Sequence, residues 1–181
     1  MNTRIETNEG LIHLWFDSNY ETKRSKGLSK RDIEVEEVRN KLQESFPKAR
    51  IEYEENGAPI LLGASYSYIS ISHYGGWFAL YYTEKPNGVD IQTYKSTLLK
   101  GKDYFINSKD EELELSSLNL HLIWSAKEEF YKKHKGNILN LRKDVSAIEI
   151  NHESKELTLI YEGQEEVVCF YVSNDFVLVW T

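Results

Sequence analysis

A helical pattern followed by a run of short strands occurs twice in this chain, and that repetition constrains its fold more than any other feature. Leu28 to Phe46 carries Ile33, Val35, Val38, Leu42 and Phe46 among many charges, a spacing closer to the helical period than to strand alternation, and Pro47 stops it. A short apolar run, Leu11 to Phe16, precedes this helix as a strand, with a polar loop from Asp17 to Lys26 between them. Strand-like segments follow at Ile51 to Glu54, Ile60 to Leu62, Tyr68 to Ser72, Trp77 to Tyr82 and Gly88 to Ile91. They are separated by Asn56-Gly57, Gly75-Gly76 and Pro86-Asn87-Gly88, which predicts an antiparallel meander.

The second round begins after Thr93 to Asp103, a lysine-rich stretch of little periodicity that reads as the connection between halves. Ser108 to Leu115 and Leu118 to His134 read as helices, the second ended by Gly136. Strands are expected at Ala147 to Ile150, Leu157 to Tyr161, Glu165 to Val172 and Phe176 to Trp180. The expectation is an α+β chain of two similar lobes, 1–95 and 96–181, each a helix packed on a small antiparallel sheet, with a ligand site in the cleft between them. No residue-level repeat accompanies the pattern.

Bulk properties exclude several classes. A net charge of −7 across 181 residues argues against a general nucleic-acid binder, since phosphate-backbone affinity demands a basic face. The start, Met1 to Gly10, has no apolar core of a signal peptide. No stretch approaches the roughly 18 apolar residues of a membrane-spanning helix, so no membrane partner and a cytoplasmic location are expected. Cys169 is the single cysteine, which rules out an intrachain disulfide. It alternates with Val167 and Tyr171 and is expected to pack in the core.

Three blocks carry chemistry. On the helix from Leu118, Trp124, Glu128 and Lys132 are spaced i, i+4 and i+8 and share a face, with Trp124 directed inward. The plain alternative is a surface Glu–Lys helix pair. Asp90 alternates with Gly88 and Gln92, opposite Val89 and Ile91. A carboxylate beside a residue without a side chain leaves room for a cation and its ligand, and two hard oxygen donors from Asp90 and Glu128 would suit magnesium on a diphosphate. Alone, Asp90 reads as a strand-end acid. In Tyr68 to His73 the serines Ser70 and Ser72 share one strand face, and His73 ends the strand before Gly75-Gly76. Such hydroxyls and imidazole could touch a phosphate, or form an ordinary polar edge.

The order of these blocks resembles the 4'-phosphopantetheinyl transferase superfamily, more closely its surfactin-type, two-lobed single-chain members. The matching pieces are Asn56 to Leu61, Ser70-Ile71-Ser72-His73-Tyr74, Gly88-Val89-Asp90-Ile91-Gln92, Phe105 with Glu111 or Glu112, and Trp124 to Lys132. The last piece answers the family's W-x-x-K-E-A-x-x-K. The resemblance spans roughly 51–136, and the helix block is its most specific part.

The resemblance implies the 4'-phosphopantetheinyl transferase fold of two pseudo-twofold related lobes with coenzyme A between them. It also implies Mg-dependent transfer of 4'-phosphopantetheine to a serine of an apo acyl or peptidyl carrier protein. Asp90 and Glu128 would hold the metal, with Gln92 a possible third ligand. Ser72 and His73 would contact the 3'-phosphate, and Lys132 would neutralise the diphosphate. Lys127 matches the motif's first lysine and would contact the coenzyme, although its position directs it away from Glu128. Asp90, Glu128 and Lys132 are thus the expected catalytic group. Phe105, Phe130 and Tyr131 are candidates for docking the carrier, and two lobes in one chain imply a monomer.

Three departures stand out. Gln92 replaces the usual third acid, Ala58 a lysine before proline, and Tyr74 a small residue after His73. The basic residues that hold the coenzyme in larger relatives have no clear match beyond a pool of Lys23, Arg24, Lys26, Lys30 and Arg31. Gln92 and Ala58 motivate an alternative: a homologue that binds coenzyme A or a carrier without catalysis. A protein sharing the motif by chance is the remaining reading.

Overall fold

The computed structural model describes residues 2–181 and is α+β. Its internal contacts divide it into two compact units, 1–87 and 88–181.

In the first unit a four-stranded antiparallel sheet is ordered β1-β2-β6-β5, from β1 (Asn2–Glu6), β2 (Gly10–Phe16), β5 (Tyr68–Tyr74) and β6 (Trp77–Thr83). Between β2 and β5 lie helices α1 (Tyr20–Ser25) and α2 (Lys30–Ser45) and a separate hairpin of β3 (Arg50–Tyr53) and β4 (Pro59–Leu62). β1 and α1 were not expected. The β1–β2 turn is closed by Thr7, whose hydroxyl accepts from the backbone N–H of Gly10 at 2.9 Å, a link formed by one polar side chain rather than by a Gly/Pro signal. The β5–β6 turn does follow its signal. Gly75 and Gly76 have φ of +56° and +85°, and two successive left-handed residues match the twist of a tight hairpin.

Ser29 caps α2 by accepting from the N–H of Asp32 at 3.1 Å. Ile33, Val38 and Leu42 face a core of Trp15, Ile69, Phe78, Leu80 and Tyr82, in which Trp15 stacks on Phe78 at 5.1 Å. Val35, read as part of the apolar stripe, is exposed, and Glu34 is buried instead.

The second unit holds a five-stranded antiparallel sheet, ordered β7-β11-β10-β9-β8. Its strands are β7 (Val89–Thr93), β8 (Val145–Asn151), β9 (Glu156–Tyr161), β10 (Gln164–Val172) and β11 (Phe176–Trp180). Helix α3 (Ser96–Lys100) follows β7, α4 (Ser117–Lys133) packs on the sheet, and the one-turn α5 (Leu141–Asp144) leads into β8. Leu120, Ile123, Ala126 and Phe130 of α4 meet Val145, Ala147, Leu157, Leu159, Val168, Val177 and Val179. Burying each large apolar side chain is worth about 1.5–3 kcal/mol, so the packed face, not propensity, holds α4 in place. Ser116 caps its start by accepting from the N–H of Asn119 at 3.2 Å, and Gly136, at φ +77°, turns the chain away at its end.

Four sequence expectations are corrected here. The meander does not run through Gly88 to Ile91: β7 pairs with β11, so the break falls at 87/88 and not at 95/96. The lysine-rich connection is part of the second unit, because α3 packs on α4 and Leu98 joins that unit's core. Ser108 to Leu115 forms only a 3-10 turn at Asp110–Glu112, whose Asp110 is pulled inward. Cys169 lies on the strand face shared with exposed Val167 and Tyr171, while its neighbours Val168 and Phe170 enter the core. One step of strand alternation separates the two outcomes.

Candidate active site

The second unit brings Asp90, Ser125 and Lys132 together. β7 approaches α4 closely because residue 88 is glycine. A Cβ there would stand 2.2 Å from the Glu129 carbonyl oxygen and 2.4 Å from its carboxylate, so any side chain would push the strand off the helix. Asp90, opposite Val179 in the β7–β11 ladder, thereby faces α4 with 3% of its surface exposed.

Its oxygens are well supplied with donors. Oδ1 accepts from Lys132 Nζ at 2.7 Å, and Oδ2 accepts from the Ser125 hydroxyl at 2.7 Å and from Gln92 Nε2 at 3.1 Å. Lys132 Nζ also donates to the Val89 carbonyl at 2.9 Å. Ser125, Glu128 and Lys132 are spaced i, i+3 and i+7, a true helix face, so the stripe aimed at β7 contains Ser125, which sequence reasoning missed. Trp124 lies beside this stripe, half-buried against Phe105 with ring centroids 5.1 Å apart.

Glu128 is half-buried, and among the described residues its carboxylate has no hydrogen bond or ion pair. Burial first, and the charge of Asp90 second, hold its carboxyl above the ordinary carboxylate range, with Lys132 opposing. Lys132 is bonded directly to Asp90, and Lys95 Nζ, donating to Gln92 Oε1 at 3.4 Å, brings a second ammonium to the edge of the cluster. The carboxylates of Asp90 and Glu128 are hard oxygen donors of the kind that would suit magnesium, while the Gln92 amide oxygen accepts from Lys95 Nζ. The acid triplet usual for a metal is missing: no group of three or more His, Cys, Asp or Glu side chains forms a metal cluster among the described residues.

Lys127 belongs to a different constellation. Its Nζ donates to Asp110 Oδ2 at 2.6 Å and to the Phe105 carbonyl at 2.8 Å, with both side chains wholly buried. Asp110 also accepts from the N–H of Asn107 and of Ala147, each at 2.7 Å. Burial pushes the lysine's pKa down and Asp110 pulls it back. Lys127 therefore pins the 3-10 turn and β8 to α4, and its expected coenzyme contact is withdrawn because no part of it reaches solvent. Glu111 and Glu112, the motif's acid candidates, are exposed while the adjacent Asp110 holds the buried place, and Phe105 and Phe130 sit in the core, not on a docking surface. Tyr131 remains exposed.

Glu129, beside the site, is wholly buried. Its Oε1 accepts from the Thr181 hydroxyl, Oε2 has no hydrogen-bond partner among the described residues, and burial raises its pKa to about 8. His121 fixes the exit of β7. Its Nε2 accepts from the N–H of Lys95 at 2.9 Å, so Nδ1 must carry the hydrogen donated to the Ser117 carbonyl at 2.7 Å.

In the first unit, alternation places Ser72 and His73 on opposite faces of β5: Ser72 is buried, while His73 lies on the side of Ile69, Ile71 and α2. His73 Nδ1 lies 2.9 Å from Glu34 Oε1. Of the basic pool, Lys23 is engaged by Asp17 at 3.0 Å and Glu37 at 2.6 Å. Lys30 stands 3.7 Å from Glu34 and 5.9 Å from the centre of the Tyr74 ring. Arg24, Lys26 and Arg31 are exposed.

Among the described residues no helix is long and apolar enough to cross a membrane. No protein-family model matches the chain, and no curated protein matches it either.

Proposed function

We propose that the chain is a 4'-phosphopantetheinyl transferase of the two-lobed type, moving 4'-phosphopantetheine from coenzyme A to a serine of an acyl or peptidyl carrier protein. The observation that carries this reading is the convergence of Asp90, Ser125 and Lys132, with Glu128 on the same helix face, made possible by Gly88. Motif residues 42 positions apart meet at 2.7 Å in the order the resemblance expects.

In this reading Asp90 and Glu128 would hold magnesium, which supplies charge neutralisation on the coenzyme diphosphate when bound. The carrier serine hydroxyl attacks the phosphorus that bears the pantetheine. The bond from that phosphorus to the bridging oxygen breaks, and 3',5'-ADP leaves with the electron pair. Glu128 takes the serine proton, a task favoured by a carboxyl whose pKa is raised by burial and by Asp90. Lys132, held by Asp90 and the Val89 carbonyl, places its ammonium for the charge that grows on the departing phosphate. Ser125 keeps Asp90 in its rotamer.

The engagement of both Asp90 oxygens by Lys132, Ser125 and Gln92 favours a second reading, a homologue that binds coenzyme A or a carrier without transfer, since Lys132 already compensates the aspartate. Incubation with coenzyme A, magnesium and a panel of apo-carriers separates the two. The transferase adds the mass of one phosphopantetheine to a carrier; coenzyme binding with no mass gain on any carrier contradicts it. Glu128→Gln lowers the transfer rate by about 10²–10⁴-fold with the fold intact, the range expected for a lost general base.

A further inference from the structure

The first unit leaves open a groove that the transferase reading does not use. It lies between α2 and β3, about 220 Å³ in volume, where Val35, Val38 and Leu42 of the helix face Ile51 and Tyr53 of the strand. Val38 and Leu42 are buried, but Val35 is 42% exposed and Tyr53 60%, so apolar surface continues from the core out to solvent. The volume falls below the roughly 300–1,000 Å³ of pockets that enclose a small molecule, and it suits single side chains instead.

Charge selects what fills such a groove. In a chain of net charge −7 no acid lines it, and its two charged residues are Arg39 and Arg50. Arg50 is committed to Glu52, Nε to Oε1 at 2.9 Å. Arg39, one helical turn from Val35, is exposed and has no hydrogen bond or ion pair among the described residues. Its guanidinium presents a fork of donors that a carboxylate fills bidentately.

The backbone of β3 adds a row of open hydrogen-bonding groups. β4 lies against β5, so β3 is the outer strand of a two-stranded sheet. Glu54 donates its N–H to the Ala58 carbonyl at 2.9 Å, and Tyr53 stands opposite Pro59, which has no N–H. Hydrogen-bonded pairs alternate along an antiparallel ladder, so Glu52 and Arg50 bond to β4 while the N–H and C=O groups of Ile51 and Tyr53 turn outward. Open backbone of this kind is a template for a further strand, and a sheet of only two strands gains most from one. We propose that the groove docks an extended segment of a partner protein. The segment adds to β3 as a third strand, with an apolar side chain over Val35 and Leu42 and a carboxylate two positions away on Arg39, since alternate residues of a strand share a face. This docking site is independent of the coenzyme reading.

The probes are blocked, threonine-rich peptides with a central leucine and, two positions before or after it, glutamate, glutamine or lysine. They are titrated into the isotope-labelled full chain and followed by its backbone amide resonances. A glutamate peptide shifts the Ile51 and Tyr53 amides and binds about fivefold tighter than its glutamine counterpart, the size of one exposed bidentate pair, and the lysine peptide binds weakest. Arg39→Gln brings the glutamate and glutamine peptides to within about twofold of each other. Tyr53→Pro deletes an outward N–H that β4 does not use, so the hairpin stays paired. It weakens binding by about threefold or more beyond Tyr53→Ala, which keeps that N–H. Equal binding by the proline and alanine variants overturns strand addition, and equal binding of glutamate and glutamine peptides by the parent protein overturns the acidic partner. No shift at Ile51 and Tyr53 with any peptide at millimolar concentration overturns the docking site. A parent protein that sediments as a dimer, and becomes a monomer on Tyr53→Pro, has a second copy in the groove and overturns the proposal as well.

Discussion

Two of the lysines on helix α4, Lys127 and Lys132, are five residues apart and each is bonded to an aspartate at 2.6–2.7 Å, and the two pairs have opposite uses. The Lys127–Asp110 pair is wholly buried and every oxygen of its acid is tied to backbone or ammonium. It closes a polar gap in the core. Lys132 is 27% exposed, and its aspartate sits next to a second, repelling carboxylate. Equal chemistry and nearly equal distance thus leave function undetermined. What separates the pairs is whether a second carboxylate stands beside the acid and whether solvent, and so a ligand, reaches them.

Breaking the buried pair should have the largest effect on stability. Lys127→Met strands the Asp110 carboxylate in the core and costs about 3–5 kcal/mol, read as a lower urea midpoint. Lys132→Met, five residues away, costs about 1 kcal/mol, since Ser125 and Gln92 still donate to Asp90. Equal losses at the two positions would erase the distinction.

A second contrast, between the units, is sharpened by pH. Glu129 in the second unit has a folded pKa raised to about 8, so the fold binds a proton that the unfolded chain has released. Its contribution is complete below the ordinary carboxylate pKa near 4.5 and is lost as pH rises through about 8. Glu129→Gln therefore gains on the parent protein by about 2 kcal/mol between pH 6 and pH 8, measured as the difference in unfolding free energy. His13 in the first unit, buried and lowered to about 4 chiefly by burial, works the other way: its contribution is complete above pH 6.5 and disappears toward pH 4. His13→Gln should flatten the acid limb and leave the alkaline limb alone.

An effect close in size to that of Lys132→Met is expected at Ser125. Ser125→Ala removes one donor to Asp90 while Lys132 and Gln92 remain, and costs about 1 kcal/mol in stability, visible as a lower melting temperature.

The legible parts of this molecule were those written in local periods. The α4 helix, the Gly75-Gly76 turn and the strands of the second sheet follow from side-chain spacing and turn residues, and they appear within a residue or two of expectation. Asp90 and Lys132 were found because strand alternation and helical spacing each put them on a defined face. Partnerships across long separations were not legible. The break at 87/88 depends on β7 choosing β11 as its neighbour, a choice that alternation does not encode. Lys127 looked like a ligand-binding lysine until Asp110, 17 residues earlier, proved to be its partner. Glu34 broke an apolar stripe and was passed over, though a charge on a helix's inner face is itself a signal that something waits opposite it. Ser125 could have been found from its i+7 relation to Lys132.

The central claim is that Asp90, Glu128 and Lys132 perform transfer while Lys127 holds the core, and single-turnover transfer by Lys132→Met tests it most directly. With coenzyme A, magnesium and an apo-carrier that the parent protein modifies, the account predicts that the carrier's mass gain slows by at least about 100-fold in a variant that stays fully folded at the assay temperature. Transfer by Lys132→Met at the parent rate would contradict it.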